Sequence, residues 1–256
     1  MSIETIKQIS KNIRCFGFAQ SAESRILQAR QNGDTYEEFL LKILQDEQED
    51  RQQKTAKRML RSARFRRTCT MEDWDMSYDR GISKGKLKEL AILSFYNNRE
   101  NLIVLGPTGS GKSHLAIAIG RRLCNQGTSV KFFSLNHLFE EFQAYRASGK
   151  YLSFIKQLAK ADVIVLDDFG LRNYTHDEAL ILLDLIEDRY QKGVLIITSQ
   201  VKPEGWRSLF EDPVIAEALT DRLLNPCMEI QLRGESYRTK IAATKRNQLE
   251  VPAGNR

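Results

Sequence analysis

Residues 102–114 read LIVLGPTGSGKSH and run directly into LAIAIGRRLC. An apolar run of one strand's length stops at a glycine-rich loop, and helix-forming residues follow. Gly106, Gly111, Lys112 and Ser113 match the spacing G-x-x-x-x-G-K-[ST], in the strand-loop-helix context that gives the spacing its meaning. Glycines let the backbone turn its N–H groups inward around phosphate oxygens, and the helix N-terminus adds partial positive charge. The expected cradle for a nucleotide is therefore Gly106, Pro107, Thr108, Gly109, Ser110, Gly111, Lys112, Ser113 and His114. Lys112 is expected to reach the β and γ phosphates, and Ser113 to offer its hydroxyl to Mg2+.

Further apolar runs follow at 130–133 (VKFF), 163–166 (VIVL) and 194–198 (VLIIT), separated by amphipathic helical stretches. Strands alternating with helices predict an α/β core, a parallel sheet with helices on its faces. The third run ends in two adjacent carboxylates, in VIVLDDFG. A carboxylate at the end of a strand buried on both faces is costly without a cationic partner. In phosphate-loop proteins a second buried strand delivers an acid to the metal, so Asp167 is the expected Mg2+ ligand, through water. Asp168 is the candidate to polarise the attacking water; the alternative is an acid that caps a loop or pairs with an arginine. No NKxD-type guanine-reading sequence follows, which makes ATP the default ligand.

Upstream the pattern is helical. Thr35 with Glu38 fits a capping box, after which Tyr36, Phe39, Leu40, Ile43 and Leu44 repeat at helical spacing. From Gln45 to Arg58 only Ala56 is apolar, so a continued helix is expected to be wet on every face. Ile3, Ile6, Ile13, Ile26 and Leu27 supply the other apolar faces of a small helical unit. The expected organisation is a helical N-terminal DNA- or partner-binding domain over 1–69, a linker and first helix over 70–98, an ATPase domain over 99–245 and a disordered tail over 246–256.

Net charge is +6, and its distribution is one-sided: DEQED at 46–50 is followed by a stretch, 51–67, with eight cations and no acid. Arg51, Lys54, Lys57, Arg58, Arg61, Arg64, Arg66 and Arg67 are thus candidates for the backbone of double-stranded DNA, against the alternative of a solvated face. No apolar run approaches the roughly 20 residues of a membrane span, and the N-terminus lacks a secretory signal, so a cytoplasmic location is expected. The four cysteines show no paired spacing and the three histidines are scattered, which argues against zinc or a disulfide framework.

The order of phosphate loop, VIVLDDFG, a strand ending in TSQ, and DPVIAEALTDRLL is similar to the AAA+ ATPases of the IstB and DnaC group, and most of all to IstB-like helpers of insertion-sequence transposition. YEEFLLKILQDEQEDR at 36–51, RSARF at 61–65, GKSHLAIAIG at 111–120 and RGESYRTK at 233–240 carry the likeness across nearly the whole chain. The resemblance implies a P-loop AAA+ core behind a small all-helical domain. It makes Arg222 an arginine finger inserted toward a neighbouring subunit's γ-phosphate, whereas from composition alone it is a surface arginine beside Asp221. It makes Arg238 a second arginine near the nucleotide. The sensor position, Asn in a Ser-Asn pair in many relatives, reads Ser199-Gln200 here and stays open among Thr198, Ser199 and Gln200. The second acid is Asp168 where many members have Glu, which implies slow basal hydrolysis. The usual helical lid is missing, so neighbouring subunits are expected to complete the site.

These features together predict an ATPase using ATP and Mg2+ that assembles with itself on DNA and assists a transposase. A replicative helicase loader resembling DnaC is the near alternative. A P-loop metabolite kinase, in which the basic helix is only solvated, is the distant one.

Overall fold

The computed structural model describes residues 2–237 and 239. Arg238 and the expected tail over 246–256 fall outside the described residues. The chain divides into two compact units, 1–59 with 125–127, and 60–124 with 128–256.

The first unit is helical. Helix α1 (Ile3–Asn12) is capped by Ser2, whose Oγ accepts from the Thr5 N–H, and α2 (Phe16–Asn32) ends at Gly33 in the left-handed region. Helix α3 (Tyr36–Ala63) begins at the expected box: Thr35 Oγ1 accepts from the Glu38 N–H at 3.3 Å, and Glu38 Oε2 accepts from the Thr35 N–H at 2.8 Å. Its 28 residues make one rod about 42 Å long at about 1.5 Å per residue.

The way α3 packs differs from the expectation. Of the apolar stripe only Ile43 is fully buried, while Tyr36, Leu40 and Leu44 are exposed, as are Ile13 and Leu27. The stretch expected to be wet instead holds a buried carboxylate. Glu47 accepts from the Phe18 N–H at 3.0 Å and from Arg51 Nε at 2.6 Å, and Arg25 grips Asp46 through two nitrogens at 2.7 and 2.8 Å. The physical reason is Gly17. A methyl group there would lie 2.8 Å from Glu47 Cα, so α2 and α3 touch backbone to backbone and the buried face of α3 falls on its acids.

The second unit opens with α4 (Lys84–Ile92), capped by Ser83, and the single turn α5 (Ser94–Asn97). Then β1 (Asn101–Leu105), α6 (Lys112–Asn125), β2 (Val130–Ser134), α7 (Leu135–Ala147), α8 (Tyr151–Ala159), β3 (Val163–Phe169), α9 (His176–Arg189), β4 (Val194–Ser199), α10 (Pro213–Leu224) and β5 (Cys227–Gln231) follow. The five strands are parallel in the order β2-β3-β4-β1-β5. The four expected apolar runs are the four strands β1 to β4. Strand β5 gives no such run because it is an edge strand of which only Ile230 is buried.

Residues 102–105, 163–166 and 194–197 are all buried, which accounts for their unbroken apolar character. Each such side chain contributes about 1.5–3 kcal/mol by leaving water. Because every strand runs the same way, the C-terminal ends share one edge of the sheet. That edge receives the loop after β1, the acids of β3 and the polar end of β4.

Candidate functional site

The loop after β1 is built as a cradle. Gly106 sits at φ +152, and a methyl group there would meet Leu232 O at 2.8 Å, so only glycine fits both the backbone and the space. Lys112 begins α6, is 7% exposed, and donates from Nζ to Gly106 O at 2.8 Å and Pro107 O at 2.9 Å, holding the loop arched. Ser110 Oγ is buried with no hydrogen-bond partner among the described residues. A buried lysine, an orphaned hydroxyl and a helix start that directs backbone N–H groups into the same hollow fit a nucleotide phosphate chain. Thr108, Gly109, Gly111, Lys112, Ser113, His114, Asp168 and Gln200 line a single pocket of about 240 Å³.

The acids come from β3, with β4 between them and the loop strand β1. Parallel neighbours lie about 4.8 Å apart, so the carboxylates and the loop face each other across roughly 10 Å. Regular pairing with β4 breaks between Leu166 and Phe169, and Asp168 takes φ +65 within this bulge. Thr198 of β4 fixes both acids with one hydroxyl: Oγ1 donates to Asp167 Oδ1 at 2.5 Å and accepts from the Asp168 N–H at 3.0 Å. Asp167 is buried, and Asp168 lines the pocket. Phe169, packed against Trp206 at 4.5 Å between ring centroids, anchors the strand end just beyond them. The other two sensor candidates part company: Ser199 Oγ donates within the fold to Phe169 O, whereas Gln200 Oε1 accepts from Thr108 Oγ1 at 2.8 Å and joins the pocket.

Arg222 lies elsewhere. It occupies the last turn of α10, and its carbonyl accepts from Asn101 Nδ2, at the N-terminal end of β1. The five residues of β1, about 16 Å at 3.3 Å each, separate that anchor from the phosphate loop. Its guanidinium pairs with Glu187 Oε1 at 3.0 Å, donates to Ala218 O at 2.9 Å, and is about one-third exposed. Arg222 therefore stands at the sheet edge opposite its own cradle.

A family model described as IstB-like ATP binding protein matches residues 9–245. The chain belongs to that family. Among curated relatives it is 36% identical over 218 residues to the IS21 insertion-sequence ATP-binding protein of Pseudomonas aeruginosa, covering 85% of this chain and 82% of that one. It is 33% identical to an insertion-sequence ATP-binding protein of Mycobacterium tuberculosis, over 92% and 94% of the two chains. Among solved structures, the DnaC helicase loader superposes with a TM-score of 0.51 at 20% identity, over 64% of this chain and 96% of that one. The sheet is thus that of the DnaC-type AAA+ fold, and ATP binding goes with family membership. Among the described residues no helix is long and apolar enough to cross a membrane.

In this IstB-like chain the pocket also holds side chains that sequence patterns did not single out. Arg80, Asp73 and Tyr237 line it, and Trp74 packs beside His114 at 5.8 Å between centroids. His114 Nε2 bonds Thr70 O at 3.2 Å, and burial holds its pKa below the ordinary range. The Tyr237 N–H donates to Gly109 O at 3.0 Å, which ties the RGESYRTK motif to the cradle. Arg238, the motif's arginine, falls outside the described residues.

The eight basic candidates are all exposed. Arg51 pairs with Glu47 and Lys54 with Asp50, both one turn back on α3, and Arg64 lies 3.8 Å from Glu141. Lys57, Arg58, Arg61 and Arg66 have no ion pair among the described residues. Arg67, grouped with them by sequence, lines the phosphate-loop pocket.

Proposed function

We propose that this protein is an ATP-hydrolysing AAA+ helper of transposition, which assembles with itself on double-stranded DNA and presents that DNA to a transposase. The observation that carries the reading is the division of the catalytic groups between opposite edges of one sheet. Cradle and acids share the C-terminal edge, while Arg222 is held about a strand's length away, out of reach of its own pocket. An arginine placed there is available to the pocket of another copy. The insertion-sequence origin of the relatives supports the biological role.

Within one copy, the loop N–H groups and Lys112 bind and orient the phosphate chain. Ser113 and Asp167 would hold Mg2+, which when bound neutralises charge on the β and γ phosphates. Asp167 enters that role already oriented by Thr198. Asp168, half-exposed in the pocket, orients the attacking water and accepts hydrogen bonds from it. Arg222 of a neighbouring copy supplies positive charge to the phosphoryl oxygens as the bond breaks. Turnover is then slow in the monomer and rises on assembly. The exposed cations of 51–66 grip the DNA backbone without reading bases, so binding depends steeply on salt.

The test is ATP turnover against protein concentration, with and without duplex DNA. The proposal requires turnover that is second-order in protein, DNA-stimulated, and lost in Asp168→Asn while nucleotide binding persists. Turnover set by a small-molecule acceptor would instead mark a metabolite kinase, and capture of a hexameric helicase rather than a transposase would mark a loader.

A further inference from the structure

Arg80 belongs to no phosphate-binding motif, yet it sits in the phosphate-loop pocket with Gly111, Lys112, Ser113 and His114. It is 3% exposed. Its guanidinium carbon lies 3.5 Å from the centroid of the Trp74 ring and 4.9 Å from that of Tyr237, so the fork is held between two aromatic faces. Nη2 donates to Asp75 O at 2.9 Å. Among the described residues, buried Nε has no hydrogen-bond partner, and no carboxylate lies within ion-pair distance of any of the guanidinium nitrogens.

A buried guanidinium with that set of contacts is under-compensated. Ring faces and one carbonyl offset part of its lost hydration, but an unpaired buried charge is among the more expensive features a fold can carry. Burial accordingly pulls its pKa below the usual arginine range, against smaller opposing contributions from Tyr237, Asp75 and Tyr78. The charge is also aimed. A methyl group on Gly111 would lie 3.0 Å from Arg80 Nη1 and 3.2 Å from Trp74 Cη2, so the fork and its supporting ring rest directly on the loop that cradles phosphate. The under-compensated charge and the phosphate loop therefore share one hollow.

We propose that Arg80 is a second nucleotide-binding cation of this site, donating to a phosphate oxygen at the Gly111–His114 side of the loop. The inference rests on the reading that the pocket takes a nucleotide, and it adds a residue to that site. A planar fork matches phosphate oxygens in pairs, and stacking on Trp74 fixes its orientation before the ligand arrives, so little rotamer freedom is lost on binding. Tyr237, tied to the loop through Gly109 O, closes the other side of the fork.

The competing role is a structural staple, because Arg80 also joins Asp75 to Trp74 and its carbonyl accepts from the Arg233 N–H at 2.8 Å. Arg80→Met separates the two, since it keeps the apolar stem and the backbone bond but removes the charge. The experiment measures ADP affinity by calorimetry and the melting temperature without nucleotide, on the full chain, for wild type, Arg80→Met and Lys112→Ala. Arg80→Met is expected to weaken ADP at least 10-fold while melting no lower than wild type, because an under-compensated charge has gone. Unchanged ADP affinity with a melting temperature several degrees lower would make Arg80 a staple and overturn the proposal. If Lys112→Ala loses ADP and Arg80→Met does not, only the Arg80 assignment fails; if wild type binds no ADP, the nucleotide reading fails with it. Should Arg80→Met not fold, Arg80→Lys decides by the same comparison: charge without the stacked fork is expected to cost several-fold in ADP affinity, and wild-type affinity would refute the fork.

Discussion

Replacing Thr198 by valine keeps the shape of the side chain and deletes its hydroxyl. That hydroxyl donates to Asp167 at 2.5 Å, accepts from the Asp168 N–H at 3.0 Å, and is fully buried. A hydrogen bond to a buried carboxylate contributes about 1.5–3 kcal/mol and a neutral one about 1 kcal/mol, and the groups left behind keep their desolvation penalty. The loss is therefore about 3–4 kcal/mol. For a unit of this size each kcal/mol lowers the melting temperature by about 2–4 °C, so Thr198→Val is expected to melt about 6–16 °C below wild type. Thr198→Ser retains both hydrogen bonds and gives up one methyl group, about 1 kcal/mol, or a few degrees. Calorimetric melting of the three proteins checks the reasoning, and ATP turnover of the two variants follows it: Ser active, Val impaired beyond its loss of fold. If Val and Ser melt together, the hydroxyl does not orient the acids as described.

Arg222→Ala should leave ADP affinity and melting nearly unchanged, since its exposed pair with Glu187 carries under about 1 kcal/mol, while assembly-linked turnover falls about 10³-fold or more, read in a concentration series with DNA. Burial and the nearby Arg80 and Arg67 hold His114 neutral, opposed by the Thr70 carbonyl and Asp73. Its folded pKa lies below the unfolded value near 6.5, so the unfolded chain takes up the proton first: the contribution is full above about pH 6.5 and is lost as pH falls from there. Urea midpoints measured from pH 7.5 down to 5.5 should drop in wild type and flatten in His114→Gln. Reversing Lys57, Arg58 and Arg61 to Glu should weaken DNA binding and reduce the salt slope by roughly 0.9 for each phosphate no longer neutralised, with ADP affinity unaltered.

The parts legible in the sequence are those whose signal is local. Residues 102–105 and 163–166 announce strands because both faces are buried, and Thr35 with Glu38 announces the start of α3 because the box closes within one turn. The phosphate loop is legible for the same reason. What stayed hidden depends on residues far apart in the chain. Arg80 lines the pocket against Tyr237, more than 150 positions later, which folds onto the loop at Gly109. Thr198 is bonded to acids some 30 residues earlier, so composition leaves it level with Ser199 and Gln200. On α3 the apolar stripe misled because the close approach at Gly17, not hydrophobicity, decides which face meets α2.

The most direct test of the account is sedimentation velocity of the full chain with duplex DNA at low ionic strength, comparing ATP, ADP and no nucleotide. A pocket completed by Arg222 of a second copy predicts a large, DNA-bound species with ATP that is reduced or absent with ADP and disappears in Arg222→Ala. A chain that sediments as a monomer in all three conditions, or an assembly indifferent to Arg222, would contradict it.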